Sequence, residues 1–176
     1  MTPEQYRKIR DGLDARPTLR QLVLFCNHWL PAVPFVCYPV LLVLLNVQWF
    51  ALLRVGSAAA LDFMQQIARA ILVPGITFWF GTALRARLDR TYEQPGFVPL
   101  VAKETKGHSF PSRHALSAAV LAMTWLRFFP AVGVAMVIIT LLICALRVLV
   151  GVHSVPDVLF GAALGFGLGA VGMWLL

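Results

Sequence analysis

The sequence predicts an all-α polytopic membrane protein: a helical bundle of five transmembrane helices, or six if residues 21–32 also cross. Three observations carry that prediction. Hydrophobic residues make up 59% of the 176-residue chain and charged residues 13%. Mean hydropathy is +0.77, and a soluble domain of this size could not hide so much apolar surface. The apolar residues fall in runs of about 20, the length of one bilayer crossing. The net charge of +7 gathers into short stretches at residues 7–20, 85–90 and 103–113. Such clusters fit positive-inside orientation or anionic headgroups, and they equally fit an anionic substrate.

Residues 1–20 form a polar N-terminal segment, and residues 21–176 are expected to form one membrane-embedded domain. Tyr6, Ile9 and Leu13 fall at helical spacing, so a short surface helix is expected, broken at Pro17. Acids among the bases of this segment, and no small-residue cleavage site after it, argue against a signal peptide. Residues 21–53 are apolar but interrupted by Asn27, His28, Pro31, Pro34 and Pro39. An interfacial or partly inserted piece is expected at 21–32 and a full span at 33–53. His28, between Asn27 and Trp29, reads as an interface anchor.

A connection is expected at 54–66 and a second span at 67–84, kinked at Pro74-Gly75. Residues 85–108 are the longest polar stretch, and a loop of that length in a compact membrane protein is usually functional. Three apolar segments follow at 111–129, 131–150 and 155–176, the first two joined by a tight turn at Phe129-Pro130. Gly161, Gly165 and Gly169 recur every four residues, a small-residue face for close helix packing. Cys26, Cys37 and Cys144 lie in apolar segments without metal-ligand spacing and read as small hydrophobes.

Two clusters stand out from this apolar background. The first is Phe110-Pro111-Ser112-Arg113-His114. Pro is favoured at the first helical position. The N–H groups of Ser112, Arg113 and His114 would then be free at a positive helix end, which is an anion site. Arg113 adds a fixed charge, Ser112 a hydroxyl, and His114 a group able to exchange a proton. The second cluster is Arg147, His153 and Asp157. His153 and Asp157 at i,i+4 can face each other across a helical turn. A carboxylate on one imidazole nitrogen makes the other a better nucleophile or base. Arg147 offers a planar fork matched to phosphate oxygens. Two spans separate the clusters, so both lie on one membrane face.

Each residue alone has an ordinary reading: a structural histidine, a snorkelling arginine, an aspartate at a helix start. Together they suit one phosphoryl group. Pro111-Ser112-Arg113-His114 and Arg147-x5-His153-x3-Asp157 resemble the second and third motifs of the phosphatidic-acid-phosphatase type 2 superfamily, which includes membrane lipid phosphatases. The resemblance covers the chain from about Arg85 to the C-terminus.

The resemblance implies that His153 is the nucleophile and forms a phosphohistidine. It makes Asp157 the group that orients His153, and His114 the general acid for the leaving oxygen. Arg147, Ser112 and the basic first motif would hold the phosphate, with no metal and no cofactor. Three departures are visible. Arg113 stands where the family usually has Gly, and Leu146 where a Ser usually precedes the third-motif Arg. The first motif, Lys-x6-Arg-Pro, is not intact. Arg90-Thr91-Tyr92-Glu93 resembles the Arg-Pro-Tyr-Glu of some relatives, with Arg85 or Arg87 supplying the second charge; Arg87-x6-Gln94-Pro95 is the other register.

The expected substrate is a membrane lipid phosphate, undecaprenyl pyrophosphate first, with phosphatidic acid and phosphatidylglycerol phosphate as others. The expected partner is the bilayer, and nucleic acid is not expected. A multi-pass plasma-membrane protein is expected, with an extracytoplasmic site on the family's six-span plan; with five spans the N-terminus shares the face of the site, and the basic tail and loop then argue for a cytoplasmic one. Phosphotransfer to another acceptor, or a weak relative that binds anionic lipid, are the alternatives.

Overall fold

The computed structural model describes residues 3–88, 98–101 and 109–175. All regular structure among these residues is helical. The order is α1 (Pro3–Asp14), α2 (Pro17–Trp29), α3 (Ala32–Leu53), α4 (Ser57–Leu88), α5 (Arg113–Phe128), α6 (Pro130–Leu149) and α7 (Val155–Ala170), which ends in a π-helical turn, Val171–Leu175. The protein is thus an all-helical membrane bundle.

Helix α5 is its centre. It packs mainly against α6 and α7, with α4 and α3 closing other flanks. Its residues from Ala115 to Ala122, with Thr124 and Trp125, are buried. The outer helices turn large apolar side chains outward, among them Val43 and Phe50 on α3, Ile76 and Trp79 on α4, and Leu159 on α7. That arrangement is stable only where the surroundings are themselves apolar. Four helical stretches are long and apolar enough to cross a membrane: Pro17–Leu53, Ala58–Leu88, Pro130–Leu149 and Val155–Leu175. With 16 residues, α5 is shorter than those four. Protein encloses most of it, so its length need not match the lipid.

The glycine stripe does what its spacing predicts. Gly161, Gly165 and Gly169 on α7 press against Ser112, just before α5, and against Leu116 and Met123 on it. A Cβ at Gly161 would stand 2.6 Å from the Ser112 carbonyl oxygen, so only glycine admits this approach.

Helix α4 differs from expectation at both ends. It starts at Ser57, so only residues 54–56 connect it to α3, and it continues to Leu88, so Arg85 and Arg87 are helical. It runs unbroken through Pro74. Pro74 has no N–H, which leaves the Ala70 carbonyl without its usual i+4 donor. The Tyr38 hydroxyl from α3 donates to that carbonyl at 3.0 Å. A neighbour thus restores the bond that proline removes.

The N-terminal segment forms α1, with Tyr6 and Leu13 buried and Ile9 exposed. Pro17 opens α2, at the helix start where proline is tolerated. Leu13 and Val23 pack with Val150, and Leu100, Val101 and Val152 lie against them. The Leu100 N–H is shared between the Val150 carbonyl and the Tyr6 hydroxyl, each at 3.0 Å. The start of the chain therefore sits at the end of the bundle where α6 gives way to α7. Residues 17–53 bend between α2 and α3 at Leu30-Pro31. Trp49 Nε1 donates to the Ala60 carbonyl at 3.1 Å. Together with the Tyr38–Ala70 bond, this makes α3 and α4 antiparallel. Between Pro17 and Leu53 the chain changes ends once, which corresponds to the five-span arrangement.

Candidate active site

The second cluster is built by a turn between α6 and α7. The carbonyl of Arg147 accepts the N–H groups of Val152 and His153, at 3.2 and 3.3 Å. Gly151, with φ of 80°, makes this reversal possible without strain. Arg147 and His153 are thereby held in one compact loop. Helix α7 then starts from a capping box. Asp157 Oδ2 accepts the Ser154 N–H at 2.9 Å, and Ser154 Oγ accepts the Asp157 N–H at 3.3 Å.

The same Oδ2 lies 3.7 Å from His153 Nδ1, with the two side chains only 7% and 8% exposed. This is ion-pair distance, longer than a hydrogen bond. The i,i+4 pair does face itself as expected, but not across a turn of helix. His153 precedes the helix, and the carboxylate reaches it from the third helical position. Asp157 thus caps α7 and orients His153 with one oxygen. Ser154 is a positioning residue absent from the sequence reading. Its signal is visible in the sequence as Ser154-x-x-Asp157, the spacing of a capping box.

The first cluster sits beside it. Ser112 is the N-cap of α5 and Arg113 its first residue, so Pro111 lies outside the helix and not at its first position. The Ser112 N–H is not free either. It donates to the backbone carbonyl of Asp157 at 3.1 Å, which locks the start of α5 to the start of α7. The donors left at this helix end are those of the first turn, from Arg113 onward. The Ser112 hydroxyl makes no cap bond, and it is buried without a partner among the described residues. Arg147 Nε is likewise buried and unpartnered among them.

His114 is partly buried and lies within electrostatic reach of Arg147, His153, Arg113 and Arg85. Arg85 in turn feels Arg113 and Asp157. Its Nη1 donates to the Pro111 carbonyl at 3.3 Å, which pins the end of α4 to the segment before α5. The structure therefore brings together Arg85, Ser112, Arg113, His114, Arg147, His153 and Asp157. It does not bring in Arg87, which is exposed and makes no bond to the cluster among the described residues. Arg90, the alternative Gln94-Pro95 register and Lys106 to His108 lie outside the described residues.

The arrangement offers a buried imidazole set by a carboxylate, a second imidazole nearby, and three guanidinium groups around them. Such a set can receive a tetrahedral dianion and exchange protons with it. An apolar cleft of about 230 Å³ runs between α3, α4 and α5, lined by Phe35, Tyr38, Pro74, Gly75, Phe78 and Ser117 among others. Ser117, one of its lining residues, follows His114 by about 4.5 Å along the α5 axis.

No curated protein matches this sequence. The chain is similar in structure to a crystal structure from Bacillus subtilis, described as the first transmembrane PAP2-type phosphatidylglycerolphosphate phosphatase. The TM-score is 0.61 and the identity 26%, over 96% of this chain and 83% of that one. The sequence model of the PAP2 superfamily matches residues 58–176, which run from the second residue of α4 through α7 and include every residue of the cluster. The chain belongs to the PAP2 superfamily.

Proposed function

We propose that this protein is a membrane phosphatase that removes phosphate from a lipid phosphate or pyrophosphate through a covalent phosphohistidine on His153. The observation that carries the reading is the gathering of two histidines, one aspartate and three arginines at one end of an otherwise apolar bundle. The likeness to a transmembrane phosphatidylglycerolphosphate phosphatase supports the same class of reaction.

Asp157 faces Nδ1 of His153, which leaves Nε2 for attack on phosphorus. The P–N bond forms while the P–O bond to the departing lipid oxygen breaks, and His114 gives that oxygen its proton. Water then attacks the phosphohistidine and loses a proton to His114. The P–N bond breaks, the electron pair returns to Nε2, and inorganic phosphate leaves. Arg85, Arg113 and Arg147 stabilise the charge on the non-bridging oxygens through both steps. Ser112 Oγ supplies a further donor. The cycle uses these groups and water alone.

The substrate's chain would lie in the cleft that starts at Ser117. Undecaprenyl pyrophosphate is the first substrate to test, with phosphatidic acid and phosphatidylglycerol phosphate beside it. On the family plan the site faces the extracytoplasmic side of the plasma membrane. The test is phosphate release from this panel by the purified full-length protein, with and without His153→Ala. Release from at least one lipid, abolished in the variant, is expected. Release unchanged in the variant would remove His153 as nucleophile. Labelled phosphate trapped on His153 without net release would point to a transferase.

A further inference from the structure

We infer that Arg69 and Arg127 form a second phosphate clamp, at the end of the bundle away from the active site, that holds the headgroup of an anionic lipid from the opposite leaflet. The two arginines come from different helices, α4 and α5, and line one small cavity with Gln66, Phe128 and Met173. From Arg69 to Arg85 is about 24 Å along α4, and from Arg113 to Arg127 about 21 Å along α5, at 1.5 Å per residue. Both distances approach the thickness of a bilayer's hydrocarbon core, roughly 30 Å. The pair therefore sits near the far interface, at one common depth.

Neither arginine forms an ion pair with a carboxylate among the described residues. Asp62, the acid nearest in sequence on α4, is exposed and forms none either. Among the described residues Arg127 donates from Nη2 to Gln66 Oε1 at 3.3 Å. The guanidinium of Arg127 also lies 5.8 Å from the centre of the Phe128 ring. Arg127 answers the carbonyl end of α5, where a cation is favourable. Arg69 stands within α4 and has no such explanation. Two partly buried cations that line one cavity repel each other without a counter-charge between them.

The cavity holds about 10 Å³, room for one oxygen-sized group. A lipid phosphate fits this description. One non-bridging oxygen enters between the two planar forks, its ester arms stay outside, and its chains run along the apolar flank of α4. Lipid is favoured over free phosphate because the exposed apolar surface of Leu61, Met64 and Leu72 lies on the same helix.

The experiment uses the full-length protein in detergent. Thermal unfolding is followed with added phosphatidylglycerol, phosphatidylcholine or inorganic phosphate, and retained lipid is counted by native mass spectrometry. Wild type and His153→Ala are expected to retain one phosphatidylglycerol and to gain Tm from it. The Arg69→Gln/Arg127→Gln double variant is expected to lose both effects and keep its phosphate release. An equal Tm gain in the double variant would overturn the clamp. So would wild type that retains phosphatidylcholine equally well, a result independent of whether the variant folds. A Tm gain of the same size from inorganic phosphate would overturn the lipid assignment. A failure of the phosphatase reading would appear in the release assay and leave these readouts unmoved.

Discussion

The backbone N–H of Ser112 donates to the backbone carbonyl of Asp157 at 3.1 Å. This one bond joins the two halves of the site. Ser112 occupies the N-cap position of the helix that carries Arg113 and His114, and Asp157 caps the helix behind His153. Neither helix start can shift without moving the other, so the backbone positions from which the two histidines project are coupled.

Asp157 has two separable duties, and substitutions can part them. Asn retains an oxygen to accept the Ser154 N–H but loses the negative charge facing His153 Nδ1. Asp157→Asn is expected to leave Tm nearly unchanged while kcat falls on the order of 10²-fold or more. Asp157→Ala removes the cap as well, and should cost a further ~1 kcal/mol of stability. Wild-type activity in both variants, with Tm lost only in Asp157→Ala, would show that the carboxylate is only a cap.

Gly161 tests the close approach of α7 to α5. A Cβ there meets the Ser112 carbonyl at 2.6 Å, a backbone atom that cannot step aside alone. Gly161→Ala is expected to destabilise by about 1–3 kcal/mol and to lower phosphate release by separating the two motifs. Gly167→Ala on the same helix is the control, because a Cβ there meets nothing within 4 Å. Similar losses from both would mean that helix α7 tolerates no alanine, for reasons unrelated to this contact.

The parts of this fold legible in the sequence are those where residue type alone decides. Arg147, His153 and Asp157 stand out because ionisable groups are rare in apolar segments. The glycine spacing on α7 is legible because only close packing needs it. The start of α4 is not, since Asp62, Gln65 and Gln66 lower the hydropathy of 57–66 while the backbone continues helical. The Ser112 N–H is expected to be free because a helix start offers donors; its partner comes from α7, a tertiary fact. Arg69 and Arg127 lie far apart in sequence, and only packing places them together.

Gly75 lies in the wall of the apolar cleft, and a Cβ there meets nothing within 4 Å. Gly75→Leu would fill part of the space assigned to the substrate's chain. Excluding about two methylene groups costs ~1.6 kcal/mol at ~0.8 kcal/mol each, roughly tenfold in affinity. KM for a long-chain lipid phosphate is expected to rise by about that factor, and kcat for a short-chain soluble analogue to stay as it is. A matching rise in KM for the short analogue would place the effect at the phosphate end and empty the cleft of its role.

The Tyr38 hydroxyl supports the carbonyl that Pro74 leaves without a donor. Tyr38→Phe keeps the ring and removes only that bond. In membrane proteins such bonds are worth about 0.6–2 kcal/mol, so a modest fall in Tm is expected. Combining it with Pro74→Ala restores an N–H to the helix and should recover most of that loss. An additive loss in the double variant would show that the hydroxyl serves something other than the proline gap.

The two ends of the chain are expected on opposite sides of the membrane. Tyr6 and Leu13 hold α1 against the loop that carries the site, through the shared Leu100 N–H and the cluster around Val150. From there the chain changes ends along residues 17–53 and then along α4, α5, α6 and α7, an odd number of passages. Compartment-sensitive reporters fused to each end should therefore disagree. With the site facing outward, the N-terminal reporter is extracytoplasmic and the C-terminal one cytoplasmic. The basic residues of the site do not contradict this orientation, because a phosphate pocket keeps its arginines whichever way it faces. The reverse pair of signals would preserve five passages and move the site to the cytoplasm. Two reporters in one compartment would require residues 17–53 to cross twice, and that would break the packing of both Leu13 and Val23 on Val150.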